Sequence, residues 1–599
     1  MKKICKKIIT ASLATIIAVS ALGLTGCNGP AELDLENPVV TVMLPTFAVK
    51  SADQDGPVVE ELERYLAEQL GVDNLELVLK WSANSNYNEK VTAAMGANNW
   101  PHIMMISQRT STTIQNSRYG SFWDLTDQLK ATTTDAEGKT VYKYPNLAKT
   151  DELVNHNISI DGRVYGVYRS REVGRAGVTI RKDWVDKLHA KGALSFDSSR
   201  LNDMTMAEFE EMLYAFKDGD PDGNGQNDTY GMIVAGADYL KGPLSNLVVW
   251  NGAPNGWGYN EETNRVEPDY MFKEYEETLT LMRKWVAEGV INKNIATFQS
   301  GSWNNPFLQG EAGVIIDVAD RARRVATSMA DLDPDAEVEV FGYVRKDAET
   351  EPATYPTTGY SGYFVLPVKS VKTEEQRYFL LKLLDHCNDE YALDLMNYGL
   401  RGESFTETKE GDKTVVKVQP EGKHYAVITN PDGSISAKKS TEEARTTEYA
   451  DLNQFLTGIG ESRLGTYYAT PVAERVQEVY DENALYKLPN VTEAYISATY
   501  SRHSTQLDAI MNAATTKYIS GAIDLDAWKA ERDRWVEQGG EKVMNEMNEA
   551  YEKDENKLTK ERLKEENHRL QYQNGVTRWL TEDEIAKFAA EVAEAPQAE

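Results

Sequence analysis

The residues with the clearest capacity for chemistry lie in the segment DGDPDGNGQND, residues 218–228. With Asp220 as position 1, oxygen donors fall at positions 1, 3, 5, 7 and 9 of an EF-hand-like loop: Asp220, Asp222, Asn224, the main-chain carbonyl of Gln226, and Asp228. Position 6 is Gly225, where such a loop turns sharply. Alternate oxygen donors converge on one Ca²⁺, and three carboxylates held this close repel one another without a cation. The spacing therefore predicts a structural calcium site.

One position of the loop departs from the EF-hand pattern. Position 12 is Gly231, where an EF-hand carries a bidentate glutamate. A seventh oxygen must then come from Thr229, from water or from another segment. The alternative is a solvated turn of Asp, Asn and Gly that binds no metal. A catalytic role is disfavoured, because no His or Cys is near and a fully chelated ion has no open position for a substrate.

The second residue with predicted chemistry is Cys27. Four lysines among the first seven residues precede a mostly apolar run over residues 8–24, and the run ends in Leu-Thr-Gly-Cys. This layout is typical of a secretory signal, and its end resembles the bacterial lipobox. It predicts a signal peptide over residues 1–26, a diacylglyceryl anchor on Cys27 at the outer face of the cell membrane, and a linker over residues 27–36. The alternative is an ordinary signal peptide that happens to contain a cysteine.

Composition limits the possible partners. The chain has 599 residues, 64 Lys and Arg against 94 Asp and Glu, and a net charge of −30. A field this negative repels polyphosphate, so nucleic acid is disfavoured as a partner. Of the three cysteines, Cys5 lies in the signal segment and Cys27 is predicted to carry lipid, which leaves Cys387 without a disulfide partner. No segment after the N-terminus is long and apolar enough to span a membrane.

The common catalytic signatures are absent from the sequence. It contains no GxSxG, no HExxH, no phosphate-binding P-loop, and no GxGxxG after a strand. The seven histidines show no metal-ligand spacing. Pairs of acidic residues carry little information, because 94 acids place some pair in any cleft. We therefore expect a protein that is not an enzyme.

Alternating strand and helix patterns must position these residues. Apolar runs at 38–44, 75–79 and 103–106 predict strands, and residues 58–70 and 87–95 have helical spacing. Strands that alternate with helices indicate a mainly parallel α/β sheet, which binds ligands at the carboxyl ends of its strands. Thr205 and Glu208 form a predicted capping box before the helix that leads to the calcium loop. Residues 408–438 favour hairpins, and residues 556–599 favour a charged helical appendage.

Several segments together resemble a known family. IRKDWVDKL (180–188) precedes the loop DPDGNGQNDTYG (220–231), GSFWDLTD (120–127) comes earlier, and GEAG (310–313), YGLRG (398–402) and ISGAID (519–524) follow. In this order they resemble the family 1 extracellular solute-binding lipoproteins of ABC importers from Gram-positive bacteria. They are similar in particular to alginate-oligosaccharide-binding proteins, which carry a calcium loop at the corresponding place. The similarity covers most of residues 36–555.

The resemblance implies an α/β, two-lobed periplasmic-binding-protein-like (class II) fold with several interlobe crossovers and a ligand cleft. We expect an N-terminal lobe from residues 37–165 and about 310–400. We expect a C-terminal lobe, with the calcium loop, from about 166–309 and 401–555. The implied function is a monomeric receptor that captures an oligosaccharide and delivers it to ABC permease subunits in the membrane.

An oligosaccharide cleft should combine aromatic rings, on which sugar C–H faces stack, with polar groups that bind hydroxyls. Trp250 and Trp257 flank a loop-like segment rich in Gly and Asn, and the other aromatic candidates lie near strand ends or in a similar loop. The candidate ligand-binding residues are Trp81, Trp250, Trp257, Trp303, Tyr360, Tyr363, Arg401 and Glu403. Ordinary core packing is the alternative for each, and we expect at least two to line the cleft. A secreted glycoside hydrolase and a sugar sensor or adhesin remain alternative functions.

Overall fold

The fold is taken from a computed structural model that describes residues 33–46, 56–402, 405–410, 413–418, 426–429, 435–438, 452–455 and 471–594. The predicted signal peptide, Cys27, most of the linker and Glu403 lie outside the described residues. No described helix has the length and apolar character to cross a bilayer.

Strands and helices alternate over the first two thirds of the chain, and helices dominate after residue 470. The strands are β1 Val39–Thr46, β2 Glu76–Ala83, β3 Ile103–Ile106, β4 Thr132–Thr134, β5 Thr140–Tyr142, β6 Gly166–Ser170, β7 Ala176–Arg181, β8 Tyr230–Met232, β9 Trp257–Asn260, β10 Arg265–Pro268, β11 Ala312–Val318, β12 Val338–Phe341, β13 Tyr360–Val365, β14 Phe405–Glu410, β15 Lys413–Val418, β16 Ala426–Thr429 and β17 Ile435–Lys438.

The α-helices of the described residues are numbered in chain order. They are α1 Pro57–Leu70, α2 Tyr87–Gly96, α3 Ser111–Arg118, α4 Glu152–Ile158, α5 Lys182–Ala190, α6 Met206–Asp218, α7 Lys241–Trp250, α8 Lys273–Glu288, α9 Asn304–Leu308, α10 Arg321–Leu332, α11 Glu374–His386, α12 Glu390–Tyr398, α13 Pro471–Ala484, α14 Ala498–Ile519, α15 Leu525–Trp535, α16 Glu541–Lys553, α17 Lys560–Gln573 and α18 Glu582–Glu594.

The first lobe is built on a five-stranded sheet in the order β2-β1-β3-β13-β6. β1 pairs in parallel with β2 and β3, and β13 pairs antiparallel with β3 and β6. β1 is buried from Val40 to Pro45, as its unbroken apolar sequence predicts for a strand covered on both faces. The predicted β-α-β-α-β start of the chain is therefore confirmed.

The second lobe is built on a four-stranded sheet in the order β12-β7-β11-β8. β7 pairs antiparallel with both of its neighbours, and β8 pairs in parallel with β11. The large rings of Trp184, Phe216 and Trp285 lie in its core. The predicted capping box of Thr205 and Glu208 is present at the start of α6, so this helix begins where the sequence indicates.

The lobe boundaries differ from the predicted ones. β11 and β12, within residues 312–341, belong to the second sheet, and the chain returns to the first sheet only at β13. Leu452 and Phe455, expected in the C-terminal lobe, lie in the core of the first lobe. An apolar strand such as β11 fits either sheet by its local pattern, and long-range pairing decides its place.

Three crossover segments are tied together at Asn483. Its amide Nδ2 donates to the carbonyl of Gly174 at 2.9 Å, between β6 and β7, and to that of Ala176 at 2.7 Å, at the start of β7. Its own carbonyl accepts the hydroxyl of Thr354 at 2.7 Å, from the segment between β12 and β13. The lobes are thus joined through adjacent, hydrogen-bonded segments, which is the arrangement of a hinge.

The C-terminal appendage is helical, as predicted, and it packs against this hinge. His568 of α17 is fully buried, with its ring nitrogens 3.1 Å from Glu351 and 2.9 Å from Glu584. Gln571 donates to Glu351 at 2.7 Å and to the carbonyl of Leu485 at 3.1 Å. α17 therefore fills space beside two crossover segments.

Candidate functional site

A cavity of about 780 Å³ takes its walls from both lobes. Arg109 and Ile114 of the first lobe face residues of α7, of the β9–β10 hairpin and of α14. Residues 490–501, which follow the hinge, close a further side. A volume of this size suits a small oligomer of a polar ligand.

Aromatic side chains line the cavity on the side of the second lobe. Trp257 and Tyr270 are half-buried there, and Tyr275, Tyr495 and Tyr500 contribute further ring surface. Tyr270 packs edge-on against Trp535 with ring centroids 5.1 Å apart. Such rings present flat apolar faces beside polar edges, which is the surface that sugar rings stack on.

A tight hairpin positions Trp257. β9 and β10 pair antiparallel, with Trp257 opposite Pro268. The turn before β9 places Gly256 at φ 67°, a left-handed conformation that glycine adopts without strain. The carbonyl of Gly256 then accepts the N–H of Asp269 at 2.7 Å. The hairpin therefore brings an aromatic ring and a carboxylate to the same wall.

Three carboxylates with raised pKa values line the cavity. Burial raises the pKa of Asp269 to about 7 against the opposing charge of Lys241. Burial also raises the pKa of Glu493, although Arg109 and Tyr360 oppose that effect. Asp508 likewise has a raised pKa because of burial, and it accepts the hydroxyl of Tyr500 at 3.0 Å on each oxygen. Desolvated acceptors of this kind are suited to binding ligand hydroxyls.

Arg109 joins the first lobe to the post-hinge segment. Its guanidinium donates to the main-chain carbonyls of Ser159 at 3.1 Å and Ala494 at 3.5 Å. It also donates to the carbonyl of Glu493 and lies 3.5 Å from that residue's carboxylate. The hydroxyl of Tyr360 donates to the same carboxylate at 3.2 Å. One cation thus fixes the position of the chain where it enters the cavity wall.

Among the predicted sugar-binding residues, the structure places Trp257 in the cavity lining and Tyr360 next to it through Glu493. Trp81 is half-buried against the first core at the end of β2, outside the cavity lining. Arg401 is exposed and also lies outside the lining.

Three aromatic candidates are core residues, contrary to the expectation of an exposed position. Trp250 is 2% exposed and ends α7, because the apolar run before it is a buried helix and not a loop. Trp303 is 1% exposed, with its Nε1–H donated to the carbonyl of Ile233 at 3.0 Å. Tyr363 is 1% exposed within β13. Their burial leaves no ring face for a ligand, and the guanidinium of Arg321 already lies 4.5 Å from the ring centre of Trp303.

Most cavity residues carried no local signal in the sequence. Tyr495 and Tyr500 flank the N-cap of α14 at Ser497, whose hydroxyl accepts the N–H of Tyr500 at 2.9 Å. Arg109, Lys241 and Asp508 come from distant parts of the chain. The two tyrosines around the start of α14 are the one pattern that could have indicated this wall.

The predicted calcium loop connects the end of α6 to the start of β8. Asp220 has φ 48°, and its Oδ1 accepts the N–H of Gly225 at 3.0 Å, which folds position 6 back over position 1. The amide of Asn224 lies 3.2 and 3.3 Å from the two oxygens of Asp228. Burial raises the pKa of Asp222, and the nearby Asp220 and Asp228 carboxylates raise it further; a cation would relieve this second contribution.

Two further contacts explain how the loop departs from an EF-hand. A Cβ at Gly231 would lie 2.4 Å from the carbonyl oxygen of Leu213, so position 12 has no room for a glutamate. The hydroxyl of Thr229 donates to the carbonyl of Phe216 at 2.6 Å, which turns it toward α6. The side chains of positions 1, 3, 5 and 9 carry oxygen atoms, which are the ligands that Ca²⁺ takes. Within the described residues, no three or more His, Cys, Asp or Glu side chains are grouped so that they could hold a metal ion.

Two lobes joined by hinge segments around a shared cavity define a solute-binding protein. The chain is 31% identical to Lipoprotein LipO of Bacillus subtilis (strain 168) over 521 residues, 86% of this chain and 92% of that protein. It is 28% identical to the polygalacturonan/rhamnogalacturonan-binding protein YtcQ of the same strain over 547 residues, 90% of this chain and 97% of that one.

A solved structure has the same fold. It is the HMO-binding, ABC-transporter-associated solute-binding protein of Bifidobacterium longum infantis, with a TM-score of 0.58 and 16% identity, covering 86% of this chain and 99% of that one. A search of protein-family models found no match. The chain belongs to the extracellular solute-binding protein family of ABC importers, as the resemblance implied.

Proposed function

We propose that this protein captures an oligosaccharide in the cavity between its lobes and delivers it to the membrane subunits of an ABC importer. The observation that carries the proposal is the combination, in one interlobe cavity, of the Trp257 and Tyr270 rings with the carboxylates of Asp269 and Asp508. Sugars need both kinds of surface at once. The carbohydrate ligand in the name of YtcQ supports the same ligand class.

Ligand binding would favour closure of the lobes. A sugar that contacts Trp257 on one side and the Arg109 region on the other binds the closed arrangement more tightly than an open one. The crossover segments around Asn483 can absorb the rotation, because they lie side by side and outside both sheets. Lobe closure would present the permease with a surface that exists only when ligand is bound.

The protein would act at the outer face of the membrane through a lipid on Cys27. Two acyl chains bury enough CH₂ groups, at about 0.8 kcal/mol each, to hold a globular body at a bilayer. Replacement of Cys27 by Ser should prevent acylation, because serine lacks the thiol that would carry the lipid. The measurement is mass spectrometry of the mature N-terminus. A wild-type protein whose mature N-terminus carries no lipid would contradict the anchor.

Calcium would bind the loop at Asp220, Asp222, Asn224, Gln226 and Asp228 and brace the connection between α6 and β8. The loop backbone already folds position 6 toward position 1, and the acidic side chains need a counter-charge. The ion would be structural, because this loop lies outside the cavity lining.

The direct test is a thermal-shift screen of the purified protein against plant and host oligosaccharides, with chromatography of the recovered sugar. Binding should raise the melting temperature for a subset of sugars, and each bound sugar should be recovered intact. Trp257→Ala should abolish the shift. Trp579→Ala, which alters a tryptophan in the C-terminal appendage outside the cavity lining, is the control. Shortened sugar products would favour a hydrolase, and the absence of any shift would contradict the proposal.

A further inference from the structure

The charge of the cavity lining narrows the class of sugar that it can hold. This inference rests on the proposed function. Two basic side chains, Arg109 and Lys241, line the cavity together with four acidic ones, Asp238, Asp269, Glu493 and Asp508. Once these carboxyls are ionised, the charge around a ligand is negative overall, in a chain that is itself strongly acidic.

The guanidinium of Arg109 is already used within the protein. It donates to three main-chain carbonyls and pairs with the Glu493 carboxylate at 3.5 Å, and its side chain is only 14% exposed. A ligand carboxylate could bind it only by displacing these partners. The carbonyls and the acid would then lose a buried donor, which is unfavourable.

Lys241 is an exposed residue of the cavity lining, which it shares with carboxylates that the protein supplies. Burial raises the pKa values of Asp269, Glu493 and Asp508, and the charge of Lys241 opposes that rise at all three groups. No other basic side chain is among the described residues that line the cavity. An anionic sugar placed beside Lys241 would therefore meet several like charges at partly desolvated positions, where repulsion is less screened than in water.

The same groups suit a neutral sugar. The carboxylates accept sugar hydroxyls, and Tyr270 and Trp257 offer ring faces that need no charge on the ligand. The geometry points to a binding site for neutral oligosaccharides that discriminates against uronic-acid chains such as oligogalacturonate. The site would then differ in ligand charge from the polygalacturonan named for the relative YtcQ.

The test is isothermal titration at pH 8 with two sets of chains of equal length. One set is neutral (gluco-, galacto-, manno- and xylo-oligosaccharides) and the other is anionic (oligogalacturonate and oligoguluronate). At least one neutral sugar should bind at least about tenfold more tightly than every uronate. A uronate that binds as tightly as the best neutral sugar would overturn the inference and leave the proposed function intact. Failure of every sugar in both sets would contradict the proposed function and this inference with it.

A variant and a salt series separate charge from shape. Asp508→Asn keeps the size of the side chain and removes one negative charge, so it should narrow the ratio of neutral to uronate affinity. Asp526→Asn, which alters an exposed acid of α15 outside the cavity, should leave the ratio unchanged. Raising the salt concentration should narrow the ratio in the wild type, because salt screens the repulsion. A ratio insensitive to both changes would show that the cavity charge does not discriminate.

Discussion

The guanidinium of Arg109 contacts both the main-chain carbonyl and the carboxylate of Glu493, residues that lie 384 positions apart in the chain. Arg109 follows the last residues of β3 in the first lobe, and Glu493 belongs to the segment that follows the hinge. The cavity wall therefore depends on a contact between residues that are far apart in the chain. Substitution of Arg109 tests that contact directly.

Arg109→Ala should destabilise the fold and weaken sugar binding together. The change leaves Glu493 and three carbonyls without a partly buried donor, and we expect a loss of roughly 2–4 kcal/mol in the free energy of unfolding. Urea unfolding measures the stability. Arg118→Ala is the matched control, because it removes an exposed pair with Asp161 and should cost at most about 1 kcal/mol. Equal effects of the two changes would count against the role of Arg109.

Trp257→Ala should mainly weaken sugar binding, whereas Trp303→Ala should mainly lower stability. Loss of the Trp257 ring removes a stacking face and should lower sugar affinity about tenfold or more, with little effect on stability. Loss of the fully buried Trp303 ring should cost about 3–5 kcal/mol of stability. Calorimetric titration and chemical unfolding measure the two effects. A Trp303→Ala protein of normal stability and impaired binding would restore Trp303 as a ligand residue.

Asp269 should make stability depend on pH. Its pKa is raised to about 7 in the folded protein, so the folded state holds a proton that the unfolded state releases above about pH 4. Its contribution is favourable at low pH and is lost as the pH rises from about 4 through 7. In Asp269→Asn, the free energy of unfolding should therefore change less between pH 5 and pH 8 than it does in the wild type. An unchanged pH profile in the variant would show that this carboxyl titrates normally.

Calcium should raise the melting temperature of chelator-treated protein. The ion would neutralise the repulsion at Asp222 and fix the loop between α6 and β8, so the gain should saturate with calcium concentration. Asp222→Asn should reduce the gain, and Asp218→Asn, just outside the predicted ligand set, should keep it. Equal melting temperatures with and without calcium in the wild-type protein would remove the site.

His568→Ala should show that the C-terminal appendage supports the hinge. The change leaves Glu351 and Glu584 without their buried partner, and we expect a loss of about 1–3 kcal/mol. Arg569→Ala, the next residue on α17, removes surface ion pairs and should cost less than about 1 kcal/mol. Similar unfolding curves for both variants would indicate a loosely attached appendage.

Local patterns were enough to predict many of the strands and helices. The apolar run of β3 and the Thr205–Glu208 capping box are short-range signals, and the structure has both where the sequence indicates. Sheet membership of β11 was not predictable in this way, because its apolar residues would pair equally well in either lobe. The cavity was predicted least well. Trp250 looks like a loop residue only if the helix before it is overlooked. Lys241 and Asp508 line the same cavity through long-range folding alone.

The central claim is that the interlobe cavity binds an oligosaccharide without altering it. Calorimetric titration of the purified protein with the best sugar from the thermal screen, followed by chromatography of the sugar after release, tests this claim most directly. We expect one site per chain, a sugar affinity about tenfold or more lower in Trp257→Ala, and full recovery of unaltered sugar. Binding that persists unchanged in Trp257→Ala, or recovery of cleaved sugar, would contradict it.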